Sequence, residues 1–435
     1  MNPFSFFSSM ALHTLVFSRK QYVSLFLVSL MGVLIMLSAV FVSDGMLRAV
    51  HRKAKVYYGG DLMLMGGNEV TRHLGDIPLL RSRLREVVGD DVRFFSRIDL
   101  DASESQFFYE GTSVRLRMFK GVDFDDEAEL FSTFDFQEGG AFSSPEHDTV
   151  LLSTYMARRL GVRVGDMVTL MLITEDRGFT NTMNLRLAGI FADTSLFGAY
   201  TAYLDIRAMR IVGDYADDLV NRLCLYYPHD EPDHKDVLAV QEGLERYYKL
   251  CPLTDDKQNV YDALRNYKVE DGTLYGIVTL DANVKNLQLL IDAMKAVVAL
   301  VIVVLVVIIS VGMGSTFRII VMKRVTEIGT YRALGMKPRG VKLLFLTESF
   351  YLLLAGFIAG LLCAFGLTAL FSLFDFSFIP SFSIFLEGNH LLSAYKIEKS
   401  LLLFFIIFVT TELSMLFTIR NVVHISPVGA LATTA

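Results

Sequence analysis

The chain has no G-x-x-x-x-G-K-[ST] run, no H-E-x-x-H and no G-x-S-x-G anywhere in its 435 residues. The first absence removes the usual backbone cradle for a nucleotide, and the other two remove the signatures of common metalloproteases and serine hydrolases. No residue stands out as a catalytic acid, base or nucleophile, which leaves open only an enzyme with a convergent site that matches none of these patterns. Cysteine is scarce as well: three residues are too few for a disulfide framework. Cys224 and Cys251 could pair in an oxidising compartment, but they read better as two separate buried thiols. Metal-ligand spacing is also missing. His229, Asp230, Glu231, Asp233, His234 and Asp236 match no zinc motif. With Pro232 among them they read as a solvated turn whose acids favour the start of the helix that follows.

Hydrophobic residues, by contrast, make up 52% of the chain, and the mean hydropathy is +0.42, too high for an ordinary soluble protein. Four runs, at residues 21–43, 296–317, 349–374 and 400–418, are long enough to cross a hydrocarbon core about 30 Å thick. The first exceeds the apolar length of a signal peptide and is followed by no small-x-small cleavage site, so it reads as a retained anchor. Ahead of it, Phe4, Phe6, Phe7, Met10, Leu12, Leu15 and Phe17 suit an interfacial helix, or else an unstructured apolar end.

Between the second and third runs lies RIIVMKRVTEIGTYRALGMKPRGVK, residues 318–342, with seven basic residues against the single acid Glu327. A loop this basic between spanning helices belongs on the cytoplasmic side, and Arg19, Lys20 and Arg420 put both termini there as well. Its middle, Thr326 to Met336, has helical character and is stopped by Gly335 and Pro338. Residues 44–288 then fall on the opposite face. They carry 40 acids against 28 bases, which argues against nucleic acid as a partner.

Within that region, short alternating runs predict strands at 61–65, 92–101, 113–119, 168–173, 184–191, 201–206 and 221–227, with helices at 77–88, 154–160 and 234–250. Irregular mixing of the two predicts an α+β domain. Helical stalks at 44–57 and 260–295 are expected to connect it to the spans. The layout is therefore an interfacial segment at 1–20, spans at 21–43, 289–317, 343–374 and 400–419, an external domain at 44–288, a cytoplasmic segment at 318–342, an external loop at 375–399 and a tail at 420–435.

Few charges enter the spans. Glu348 is expected to reach the interface near Lys342, and Glu412 stands alone inside the fourth run. Gly356, Gly360 and Ala364 form a small-xxx-small line, which suits either a subunit interface or intramolecular packing.

One long external domain after the first span, three further spans, and Glu327-Ile328-Gly329-Thr330-Tyr331-Arg332-Ala333-Leu334-Gly335-Met336-Lys337-Pro338 together resemble the FtsX-like permeases of type VII ABC transporters, the MacB superfamily. Ala11-Leu12 through Arg19-Lys20 and Ser426-Pro427-Val428-Gly429-Ala430-Leu431 resemble the family's opening and closing motifs. The resemblance implies that residues 325–338 form a coupling helix that docks on a separate cytoplasmic ATPase dimer. This chain would then be a non-catalytic subunit that binds no cofactor of its own, with ATP and magnesium held by that partner, and a second permease subunit, identical or paralogous, would complete the assembly. Lys120-Gly121-Val122-Asp123 with Glu127, Leu151-Leu152 through Gly165-Asp166, and Leu185 to Phe191 are similar to the lipoprotein-releasing (Lol) branch, with Phe124 where that branch has proline. That branch implies an inner-membrane protein that hands lipoproteins to a periplasmic carrier. One of its permeases grips the carrier with a hairpin hook, whose counterpart here is the short loop carrying Glu175, Asp176, Arg177, Gly178 and Phe179, or an ordinary hairpin turn. The wider superfamily implies two other roles, mechanotransmission to a periplasmic hydrolase and efflux of a peptide or small molecule through a periplasmic adaptor.

Overall fold

The computed structural model describes residues 3–422 apart from 175–177, 193–196, 230, 377 and 388. Following the chain, α1 (Pro3–Phe17) leads into α2 (Arg19–Tyr58), a single helix of 40 residues. It stops at Gly59 and Gly60, both at positive φ, whose N–H groups donate to the Lys55 carbonyl at 2.8 and 2.9 Å. That is the glycine-dependent way of closing a helix. Any side chain at Gly59 would collide with Arg97, and one at Gly60 with the Leu225 carbonyl.

Strands and short helices then alternate irregularly: β1 (Leu62–Gly67), α3 (Ile77–Val88), β2 (Arg93–Asp101), β3 (Gln106–Tyr109), β4 (Thr112–Arg115), β5 (Met118–Val122), α4 (Ala128–Phe131), β6 (Phe136–Gly139), β7 (Thr149–Ser153), α5 (Thr154–Leu160), β8 (Met167–Ile173), β9 (Thr180–Phe191), β10 (Thr201–Asp205), α6 (Ile206–Gly213), β11 (Arg222–Tyr226), α7 (His234–Glu245), α8 (Lys257–Arg265), β12 (Leu274–Thr279) and α9 (Leu280–Asn283). The chain closes with α10 (Lys285–Lys323), α11 (Val325–Ala333), α12 (Pro338–Phe371) and α13 (Ile397–Val422).

Two compact units result. One holds Leu47 to Leu290 together with Asp375–Asn389. Its strands, among the described residues, form one mixed sheet in the order β12-β1-β11-β2-β5-β10-β7-β9-β8-β3-β4, with β6 also pairing β9. Alternation within β1 explains why both faces are covered. Leu62 and Leu64 enter a core with Ile98, Phe119, Val150 and Leu204, while Met63 and Met65 enter another with Phe95, Cys224 and Val278. The unit is α+β, as the patterning predicted.

Several expected boundaries move. The run at 113–119 is split into β4 and β5, because the chain turns at Leu116–Arg117 to bond Tyr200, and the two halves reach distant parts of the sheet. β7 has every side chain buried and so lacks the alternation that reveals a strand. The expected second stalk is not one helix, because β12 interrupts it and pairs with β1 along its length. Cys224 and Cys251 are separate buried thiols.

The other unit holds α1, α2 up to Met46, α10 from Ile291, α11, α12 and α13. α2, α10, α12 and α13 are each long and apolar enough to cross a membrane. Small residues set their close approaches. A Cβ at Gly356 would lie 2.5 Å from Ser29 Oγ, one at Gly360 2.9 Å from the Leu30 carbonyl, and Ala364 is fully buried. The line Gly356, Gly360, Ala364 thus packs within the chain, its two glycines against α2.

Candidate functional site

The segment between α10 and α12 is a short helix between two sharp corners. α10 ends at Lys323, and Arg324 caps the start of α11. α11 closes at Ala333, three residues short of the expected Met336, because Gly335 takes a φ of 96° and Met336 N–H turns back to the Tyr331 carbonyl at 3.0 Å. Lys337 then caps α12, and Pro338 is its first residue, where its fixed φ suits a helix start. Ile328 and Gly329 face inward and are buried. Glu327, Thr330, Ala333, Leu334, Gly335 and Lys337 are exposed, with Leu334 at 82%. Arg332 and Met336 are half-buried.

Arg324 is what ties this helix to the rest of its unit. It is 3% exposed, and its Nη1 donates to Glu348 Oε2 at 2.8 Å and to the Tyr22 hydroxyl at 2.9 Å. Tyr22 in turn donates to the same Glu348 oxygen at 2.8 Å. Arg324 Nε reaches Glu327 Oε2 at 2.7 Å, and the guanidinium lies over the Phe345 ring, 5.1 Å from its centre. One side chain therefore links α2, α11 and α12.

This corrects the sequence reading of Glu348. Far from reaching an interface, it is 0% exposed, and Arg324, counted before as one loop charge among seven, is its counter-ion. Two residues 24 apart on different helices leave no periodic trace, so no pattern flags the pair. Glu412 is not alone either: Ser349 donates to it at 2.5 Å.

The motif residues of the sheet unit acquire a structural role. Glu127 accepts from Arg97 Nε at 2.9 Å and also from its Nη2, while Arg97 Nη1 donates to the carbonyls of Val56 and Tyr57 at 3.1 and 3.0 Å. A cation at the C-terminal end of α2 answers both its unpaired carbonyls and its dipole. Lys120 pairs with Asp99 at 2.7 Å. Burial alone would raise the Asp99 carboxyl, but Lys120, Arg222 and Arg97 together hold it below the usual carboxylate range. Burial pushes Lys120 down, with Asp99 pulling it back.

The remaining sequence candidates are dispersed. Gly178 and Phe179 close the β8–β9 hairpin, with Phe179 N–H donating to Thr174 Oγ1 at 2.9 Å and its ring exposed. Glu175, Asp176 and Arg177 lie outside the described residues, as do Asp230 and the motif at 426–431. Asp233 caps α7, accepting from Lys235 and Asp236 N–H groups, which is the role expected of acids there.

Residues 299–427 match the FtsX-like permease C-terminal family, a stretch that contains α11, α12 and most of α10. Among solved structures, the crystal structure of the periplasmic region of MacB from Actinobacillus actinomycetemcomitans is similar at 11% identity and a TM-score of 0.31, over 53% of this chain and 94% of that one. No curated protein sequence matches the chain.

Proposed function

We propose that the chain is the non-catalytic permease subunit of an ATP-driven transporter, with α11 as the element that receives the force. The family match across 299–427 supports this reading, and the observation that carries it is the Arg324 cluster. A helix whose outer face is exposed and whose first residue is fixed by a buried charge to two long helices converts pressure on that face into movement of those helices. In this reading α11 and both termini are cytoplasmic, following the basic residues that flank the spans. The sheet unit lies across the inner membrane in the periplasm, the partner is a cytoplasmic ATPase dimer holding ATP and magnesium, and a second permease subunit completes the complex.

The cargo reading follows from the sequence similarity of residues 120–127, 151–166 and 185–191 to the lipoprotein-releasing branch. Extracting an acylated protein costs about 0.8 kcal/mol per CH₂ removed from the bilayer, which explains a need for ATP. Transmission of force to a periplasmic hydrolase, or efflux of a peptide or small molecule, would use the same α11.

Co-purification tests the docking. Leu334→Asp and Gly335→Trp are expected to abolish capture of a cytoplasmic ABC ATPase from the native membrane and its stimulation by the permease; unchanged capture and stimulation overturn the coupling role. For the cargo, depletion is expected to strand acylated proteins in the inner membrane. Normal arrival of those proteins would sink the lipoprotein reading and leave the other two roles.

A further inference from the structure

The sheet unit contains a cavity of about 350 Å³ that the coupling role does not use. Its wall carries Arg117, Lys120, Arg222, Lys257 and Arg265, and the acids among its described lining residues are Asp99 and Asp101. Asp99 is already taken by Lys120. Arg222 is 7% exposed. Its Nη1 donates to the Asn221 carbonyl at 2.7 Å and its Nη2 to the Tyr261 hydroxyl at 3.0 Å, while its Nε has no acceptor among the described residues. Arg117 and Arg265, both exposed at the cavity, form no ion pair among the described residues. Lys257 donates to the Tyr58 hydroxyl at 3.1 Å, and its ammonium is pushed down by burial and then by the neighbouring Arg117 and Arg222.

Arg222 and Lys257 are drawn partly out of water with no ion pair of their own among the described residues, and cations so placed cost free energy unless an anion completes the site. Arg117, Arg222 and Arg265 outnumber the two lysines here, and the guanidinium fork matches the oxygens of a phosphate two at a time. Tyr57, Tyr58, Phe197 and Tyr261 supply flat apolar walls beside the charges. The space is that of about a dozen waters at roughly 30 Å³ each, which suits a small phosphate ester and excludes a folded partner.

We propose that this cavity binds a phosphate-bearing anion, either a lipid headgroup or a soluble phosphate. Tyr57 and Tyr58 are the last residues of α2, and Asn283, Val284 and Leu287 lie at and just before the start of α10. An occupant would therefore touch both connections of the sheet unit to the long helices, and its presence would report on ligand where the chain enters and leaves the sheet. The proposal stands independently of which cargo the transporter moves.

Isothermal titration of the full-length chain in phosphate-free detergent tests it, with inorganic phosphate, glycerol 3-phosphate and a short-chain phosphatidylglycerol as probes and glycerol as the neutral control. At least one phosphate probe is expected to bind with a Kd under about 1 mM, glycerol is not, and Arg117→Ala/Arg265→Ala is expected to weaken binding about tenfold or more. Both side chains are exposed, so an unchanged unfolding midpoint will show that the variant is folded, and Arg117→Lys/Arg265→Lys should retain part of the affinity. Binding of the soluble phosphates identifies a free metabolite as the source, whereas binding of phosphatidylglycerol alone identifies a headgroup. Failure of all three probes, or equal affinity in the alanine variant, overturns the proposal.

Discussion

Each compact unit buries an arginine against a glutamate at the end of a long helix, and the two pairs are built to different ends. Arg97 is held by Glu127 on two nitrogens and by two α2 carbonyls, with no exposed member. Arg324 divides itself between buried Glu348, buried Tyr22 and Glu327, which is half exposed. The first is a closed clamp in which every bond points inward. The second keeps one arm at the surface of α11, so a partner that displaces Glu327 alters the balance at Glu348. Fixed attachment and adjustable linkage thus arise from the same residue types, separated by how many acids share the cation.

Breaking the clamp should have the largest effect. Glu127→Ala leaves a fully buried guanidinium with only the Val56 and Tyr57 carbonyls as hydrogen-bond partners, and removal of one partner of a buried pair costs about 3–5 kcal/mol. Denaturant titration of the full-length chain is expected to show that loss in the sheet unit's transition. A variant with wild-type stability would mean that Arg97 relaxes to water, erasing the contrast between the two pairs.

Glu348→Ala should cost less, about 1–3 kcal/mol, because Arg324 retains Glu327 and Tyr22. The sharper version is Arg324→Met/Glu348→Met. Replacing both charges with apolar side chains should recover most of the stability while ATPase stimulation stays low, since the polar link from Arg324 to α2 and α12 is gone. Recovery of stimulation along with stability would show that packing alone transmits the movement.

The smallest effect concerns a bystander of the clamp. Burial, the dominant influence, pushes the Cys224 thiol up to about 12, so at pH 8 only about one molecule in ten thousand carries the thiolate that alkylation needs. Iodoacetamide should therefore leave Cys224 unmodified in the folded chain and modify it in denaturant. Rapid labelling of the folded chain would mean that the core around Arg97 opens.

How much of this was legible in the sequence depended on whether the signal was local. The four apolar helices announce themselves because crossing a membrane takes a continuous run, and Gly335 and Pro338 announce corners because glycine weakens a helix and proline cannot continue one. α11 was placed correctly at its start and overextended at its end, since side-chain pattern does not reveal where a glycine takes positive φ. The buried pairs stayed hidden for the opposite reason. Arg97 and Glu127 lie on β2 and just before α4, and Arg324 and Glu348 face each other from separate helices, so only tertiary packing brings them together. β7 and β12 were missed because strands buried in a sheet lose the alternation that marks a half-exposed strand. Gly356 and Gly360 were recognised as contact residues, but which neighbour they touch is decided by α2, more than 300 positions earlier in the chain.

The pairing of β1 with β12 has a consequence for how the protein is made. Leu62 meets Thr279 and Gly67 meets Leu274, so the second strand to pair with β1 along this edge leaves the ribosome only after the rest of the sheet's strands. Contacts this distant in sequence slow folding, because the loop must close before its pairing is gained. Until then β1 presents an unpaired edge of leucine and methionine, the kind of surface that recruits other strands. Biogenesis of this chain should therefore pass through a long interval in which the sheet is nearly complete but open on one side, and that interval ends only as α10 begins to emerge.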